Sequence, residues 1–317
     1  MNHAIGIDVG ATKIAAALVN RAGEVLASRQ QPTNPGRGPA AVLDDVAALI
    51  RQLWSAASAP VAGIGIGTPG QVNGDTGIVR NAVNLGWEEV PLAAGIRARL
   101  QAEIPIWIQK DANAAALGEY VFGAARDQDD FVYLGVGSGL GGGIVAGGRL
   151  VTGANWNAAE VGHLVLDPAG GRCACGLYGC AETVVSGPGL LHLVHHYREA
   201  GHHATDLPSP ATNEQILAAA AAGDDLARAA LAQVGSWLGQ IMSACVALLN
   251  PGLIIVGGGL GLAAFPWLVP AARAELARRV LPNSLHSLVI EPSQVESSAV
   301  GAASLVWYFG KGGEAIR

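Results

Sequence analysis

A mixed α/β protein with two similarly built halves is what the sequence predicts, on three observations. Apolar runs of strand length alternate with helix-period segments from Ala4 to Tyr120, the pattern of a sheet packed against helices. At Phe131 the same opening order of strand, loop, strand, turn, strand begins again, an echo of topology with no residue-level period. The 317 residues, 50% of them hydrophobic, suffice for a bilobal unit or two domains with a sizeable core.

Ala4 to Val9 is a short apolar run entering Gly10-Ala11-Thr12, and Lys13 to Asn20 continues apolar into Arg21-Ala22-Gly23-Glu24. With a third strand over Val25 to Ser28, this reads as a hairpin meander whose first loop spans Asp8 to Lys13. Pro39 to Ala57 sets Val42, Val46, Leu49, Ile50 and Leu53 at helical spacing. A strand over Val61 to Ile66 stops at Thr68-Pro69-Gly70; Leu92 to Ala102 reads as a helix and Ile104 to Gln109 as a strand. Asp111 to Tyr120 is a helix opened by a carboxylate. In the second half, strands are expected at Phe131 to Val136, Gly143 to Ala146 and Arg149 to Thr152. Asn213 to Leu249 reads as one long Ala-rich helical stretch, Leu253 to Val256 as a buried strand, and Ser298 to Phe309 as a helix returning to the first half.

The formal charge of −6 comes without any Lys/Arg cluster, so neither a nucleic-acid backbone nor an anionic membrane is an expected partner. The N terminus has no charged head before an apolar core, and other apolar stretches read as interrupted before the roughly 18 residues of a spanning helix. A cytoplasmic protein is expected. Glycine, at 44 residues, collects beside strands at 63–67, 135–143 and 257–259, where it lets backbone approach a ligand or take positive φ. Three of the four cysteines lie together, at 173, 175 and 180, while Cys245 stands alone, which argues for metal over disulfides. His192, His195, His196, His202 and His203 share one stretch and read as a solvated helix running into a polar loop.

Asp8-Val9-Gly10-Ala11-Thr12-Lys13 places a carboxylate at a strand end, then glycine, hydroxyl and ammonium in one tight turn. Such a turn can hold phosphate oxygens while the carboxylate faces a magnesium ion; taken alone, it is equally an ordinary hairpin. Gly137-Ser138-Gly139 and Gly257-Gly258-Gly259 are further loops of phosphate or nucleotide type. His163 with Cys173, Cys175 and Cys180 offers one imidazole and three thiolates, a closed tetrahedral zinc set of structural type; the alternative is three reduced thiols near a chance histidine. Asp111 alone would be a helix cap.

Three such loops in this order, with Asp111 between the first and second, resemble the actin/hexokinase-type ATPase superfamily. The detail narrows the resemblance to the ROK family of sugar kinases and sugar-responsive repressors, over nearly the whole chain. Its carriers are Gly67-Thr68-Pro69-Gly70, Asn84-Leu85-Gly86-Trp87, Asp111-Ala112-Asn113-Ala114-Ala115-Ala116, Glu160-Val161-Gly162-His163, the cysteine cluster, and Asn250-Pro251 before Gly257.

The resemblance implies two ribonuclease-H-like lobes with mixed sheets and an ATP/sugar cleft between them. The smaller lobe would cover 1–112, joined by a C-terminal helix at about 298–317, and the larger 113–297, with the zinc knuckle and nucleotide loops. It implies ATP held by Asp8, Gly10, Thr12, Lys13, Gly137, Ser138, Gly139, Gly257, Gly258 and Gly259, with Asp8 facing Mg2+ through the nucleotide. Asp111 would be the base that takes the sugar hydroxyl's proton. Glu160, His163 and Glu182 would bind sugar hydroxyls, with Gly70 and Asn84 in the same pocket and His163 also on Zn2+. The implied reaction is ATP-dependent phosphorylation of a hexose at the 6-hydroxyl, glucokinase-like, in a homodimer or homotetramer. N-acetylmannosamine, mannose, fructose or allose as substrate, polyphosphate as donor, and a catalytically silent sugar-binding protein are the alternatives. A repressor is not expected, because its winged-helix segment would precede the loop that here starts at Asp8.

Two departures stand out. Lys110 occupies the position where the family's kinases usually carry Asn, and would either join the substrate pocket or point away from it. Asn155-Trp156-Asn157 stands where the family is usually small and glycine-rich.

Overall fold

Three strands open the chain, β1 (His3–Val9), β2 (Lys13–Val19) and β3 (Val25–Pro32), paired antiparallel with Asp8 opposite Ala15. In this computed structural model, which describes residues 2–201 and 204–310, they are followed by α1 (Pro39–Ser55), β4 (Val61–Thr68), β5 (Gln71–Asn73), β6 (Ile78–Ala82), β7 (Trp87–Val90), α2 (Leu92–Leu100), β8 (Ile106–Lys110) and α3 (Asp111–Phe122). The second half comprises β9 (Phe131–Val136), β10 (Leu140–Ala146), β11 (Arg149–Leu150), α4 (Gly187–Glu199), α5 (Asn213–Ala222), α6 (Asp225–Leu249), β12 (Leu253–Gly257), α7 (Gly259–Ala263), α8 (Phe265–Arg279), α9 (Pro282–Leu285), β13 (Val289–Pro292) and α10 (Ser298–Phe309). His202, His203 and the last seven positions of the helix expected to reach 317 lie outside the described residues.

The two large sheets repeat one plan. The first has strand order β3-β2-β1-β4-β8 and the second β11-β10-β9-β12-β13, with β4 and β8 parallel to β1 as β12 and β13 run parallel to β9. A small third sheet, β5-β6-β7, was not anticipated: its strands are three to five residues long, too short for period-2 alternation to stand out. The chain divides into two compact units. One comprises the described residues up to Asp129, Gly143–Ala158 and those from Gln294 on; the other comprises Asp130–Gly142 and Ala159–Ser293.

In the first unit α1 buries Val42, Val46, Leu49, Ile50 and Leu53, the helical stripe read from the sequence. On the other face of the sheet lies α10. A Cβ at Gly6 would sit 1.9 Å from the Ala299 carbonyl oxygen, and one at Gly65 would sit 1.8 Å from that of Ala302. These glycines, with Gly63 under Trp107, seat a helix against β1 and β4. For Gly63 and Gly65 the clustering read from the sequence as ligand approach is thus accounted for by helix packing.

In the second unit the 213–249 stretch is two helices. Gly223, at φ 103, ends α5, and Asp224 caps α6 by accepting from the Ala227 amide. By length and composition α6 could cross a membrane, so the reading that every apolar stretch is short is corrected. Just over half of its apolar window, 56%, is buried, and Gly235 and Gly239 bring α8 against it, their Cβ positions 2.5 and 2.7 Å from the Leu268 and Ala272 oxygens. That makes α6 a core helix.

Candidate functional site

The parallel register of β1, β4 and β8 puts Asp8, Gly67 and Gln109 in one row at the strands' C-terminal ends, with Thr68 and Lys110 in the next. This is the edge at which parallel α/β sheets present their binding loops. Asp111 begins α3 directly after β8. A Cβ at Gly67 would lie 3.7 Å from both Asp111 Cα and Asp8 Oδ1, so the two carboxylate residues converge on a glycine.

Asp8 is held by Ser298 at the start of α10, whose Oγ donates to Oδ2 at 2.6 Å. Burial pushes the Asp8 carboxyl up to about 6; Asp111 adds to the rise, while Ser298 and Lys13 oppose it. The following loop is closed on itself. The Gly10 amide donates to the Lys13 carbonyl at 3.0 Å, and the buried Thr33 donates its hydroxyl to the Gly10 carbonyl at 2.7 Å and its amide to that of Thr12 at 3.1 Å. The Thr12 and Lys13 side chains stay exposed, available to an anion. Asp111 is exposed, and its Oδ1 accepts from the Ala112 amide at 2.6 Å. Lys110 is buried, and its Nζ donates to the Ala158 carbonyl at 3.2 Å. Asn84 lies exposed on the short 3-10 turn Val83–Leu85. Gly70, at φ 96, turns the chain where a Cβ would be 2.8 Å from that of Ala82.

In the second unit the two glycine loops follow neighbouring parallel strands, paired through Gly135 and Gly257. The Gly137 amide closes its turn on the Gly139 carbonyl at 2.9 Å, leaving Ser138 exposed. Gly257 accommodates the Tyr133 ring, whose hydroxyl would be 2.3 Å from a Cβ there, while Gly258 takes φ 78 and Gly259 opens α7. Glu182 leans on the first loop: its Oε2 accepts from the Leu140 amide at 3.3 Å and fills the space beside Gly139.

His163, Cys173, Cys175 and Cys180 bring one ligand atom each to within 4.8 Å of one another. Cys173 Sγ lies 3.9 Å from His163 Nδ1, and the Cys175 and Cys180 sulfurs are 3.7 Å apart. A tetrahedron with Zn–S bonds of about 2.3 Å has edges of about 3.8 Å, so the set matches a zinc ion in size and in donor chemistry. Gly176 and Gly179, at φ 93 and 71, turn the knuckle. Burial pushes the Cys180 thiol up to about 12; a cation reverses that by binding the thiolate. With Nδ1 toward the sulfurs, His163 keeps Nε2 for Glu160, 4.0 Å from its Oε2.

Thr33 and Ser298 were not singled out from sequence. Each acts across a long gap in the chain, 23 residues to Gly10 and 290 to Asp8, and no local spacing rule reports such a contact.

The ROK family model matches residues 4–308. The glucokinase of Halalkalibacterium halodurans is 34% identical over 84% of this chain and 83% of its own length. The xylose repressor of Caldicellulosiruptor bescii is 32% identical over 93% of this chain and 75% of its own. Among solved structures, a ROK family glucokinase from Streptomyces griseus, in complex with glucose and AMPPNP, superposes with a TM-score of 0.81 at 30% identity, covering 96% of this chain and 99% of that one.

Proposed function

The chain belongs to the ROK family, and from that premise we propose that it phosphorylates a hexose at the 6-hydroxyl with ATP as donor, glucose being the first substrate to test. One observation carries the reading: Asp8 and Asp111 converge on Gly67 at the C-terminal ends of parallel strands, beside a closed loop that leaves Thr12 and Lys13 exposed. The two carboxylates have different environments, as two roles require. Asp111 is exposed at the start of a helix, suited to accept the proton of an attacking hydroxyl. Asp8 is half-buried beside the loop and suits a Mg2+ held with the nucleotide phosphates, which neutralises charge on the transferring group.

Gly10, Thr12 and Lys13, with the turns Gly137-Ser138-Gly139 and Gly257-Gly258-Gly259, are the proposed nucleotide contacts. Glu160, His163 and Glu182, with Asn84 and Gly70, are assigned to the sugar; Lys110, buried with its ammonium on the Ala158 carbonyl, is assigned to positioning rather than to sugar contact. Zn2+ on His163, Cys173, Cys175 and Cys180 would order the knuckle and leave the His163 Nε2 side for Glu160 or a hydroxyl. We expect a homodimer or homotetramer in the cytoplasm, the size to be read by light scattering.

The test is sugar-phosphate formation over glucose, mannose, N-acetylmannosamine, N-acetylglucosamine, fructose and allose, read by coupled ADP release with ATP and by the sugar phosphate itself with polyphosphate as a second donor. The match to a xylose repressor gives the opposing outcome its meaning: sugar-induced thermal stabilisation without phosphorylation of any sugar from either donor would assign the chain to sugar sensing.

A further inference from the structure

Lys110 and the loop from Thr152 to Glu160, which carries Asn155-Trp156-Asn157, touch in the structure through Ala158. Lys110 is 6% exposed. Its Nζ donates to the carbonyl of Ala158, 48 residues on. The loop it reaches is strained. Trp156 has φ 58 and Ala159 φ 63, in the left-handed region that side-chain-bearing residues avoid. The other non-glycine residues at positive φ among those described are three asparagines and a glutamine; asparagine tolerates that region, whereas tryptophan and alanine gain nothing from it. Such backbone persists where its surroundings over-determine it. Two hydrogen bonds do so here, the Ala158 amide to the Thr152 carbonyl at 3.0 Å and the Lys110 ammonium to the Ala158 carbonyl.

The latch joins two functional stretches by chain connectivity. Lys110 directly precedes Asp111, and Ala158 precedes Glu160 by two residues. We propose that Lys110 is a positioning residue: it holds the 152–160 loop in its left-handed course, fixes the backbone that leads into Glu160, and thereby sets affinity for the sugar without taking part in phosphoryl transfer. The assignment of Glu160 to the sugar rests on the kinase reading; the latch itself does not. An ammonium only donates, which suits a carbonyl partner, whereas an asparagine would divide its capacity between donating and accepting.

The test compares Lys110→Met, Lys110→Arg and the double variant Lys110→Met with Ala159→Gly in the full chain, by hydrogen exchange and by kinetics. Lys110→Met should speed exchange of the 152–160 amides about tenfold or more while α1 is unchanged. It should raise the sugar KM about tenfold, with kcat within about threefold and the KM for ATP unaffected. Lys110→Arg, which keeps a donor, should retain most of the wild-type values. Ala159→Gly should recover part of the loss, because glycine takes positive φ without the steric strain. Unchanged exchange in Lys110→Met, or faster exchange spread evenly over the unit, overturns the latch. So does a fall in kcat at constant sugar KM, which would place the ammonium on the transferring phosphate. If the wild type releases no ADP with any sugar, the kinase reading fails by itself and the exchange data still decide the latch.

Discussion

Ser298, the first residue of the C-terminal helix, donates its hydroxyl to Asp8 at 2.6 Å, tying that helix to a carboxylate 290 residues earlier in the chain. A hydrogen bond to a charged group contributes about 1.5–3 kcal/mol when buried and less when solvated, and Ser298 is exposed. Ser298→Ala should therefore cost about 1 kcal/mol in urea unfolding and raise the KM for Mg-ATP several-fold, whereas Ser298→Thr should keep both close to wild type. Equal KM values in all three proteins would remove Ser298 from the site.

Asp8 also makes stability depend on pH. Burial raises its carboxyl from 3.8 to about 6 in the fold, so between those values the folded chain binds more protons than the unfolded one. The stability this group contributes is then fully present below pH 3.8 and is lost as pH rises through about 6. In Asp8→Asn that loss is absent. The thermal midpoint of wild type relative to Asp8→Asn should decline from pH 4 to pH 7; a parallel course would contradict the raised carboxyl.

Asp111→Asn should lower turnover by about 10² to 10⁴-fold, the usual worth of a positioned base. The Ala112 amide bonded to Asp111 Oδ1 finds the same acceptor in the amide side chain, so folding and sugar-induced thermal stabilisation should persist. A variant that keeps a tenth or more of wild-type turnover would pass the role of base to Glu160.

Elemental analysis should find one zinc per chain, lost to a strong chelator together with thermal stability. Cys175→Ser removes one of the four donors and should do the same. Protein that is zinc-free as purified and equally stable would leave the cluster as three reduced thiols.

Gly65→Ala should destabilise the fold without touching the chemistry. The new methyl would meet the Ala302 carbonyl oxygen at 1.8 Å, on a helix backbone that cannot yield as a flexible side chain does. Overpacking of this kind costs about 1–3 kcal/mol or more, read as a lower urea midpoint, with sugar KM unchanged in the folded protein.

The sequence by itself determined whatever depends on near neighbours in the chain. The limits of β9 and α10 coincide with their apolar runs, and the stripe of α1 follows from its period. The Cys-x-Cys knuckle with His163 was legible because its donors lie within 18 residues of one another, and Asp8 and Asp111 were each legible from their own short motifs, but their convergence on Gly67 was not. The tertiary structure alone decided what depends on contacts closed across long stretches of chain. It gave Gly6 and Gly65 to helix packing, which no composition rule separates from ligand approach. It split 213–249 at Gly223, where positive φ and the Asp224 cap outweigh an unbroken Ala-rich pattern. It turned Lys110, whose side chain the sequence left between pocket and solvent, toward a carbonyl of a loop 48 residues away. The physical reason is common to these cases: a side chain's partner is set by the packing of sheets and helices, and local spacing carries no record of it.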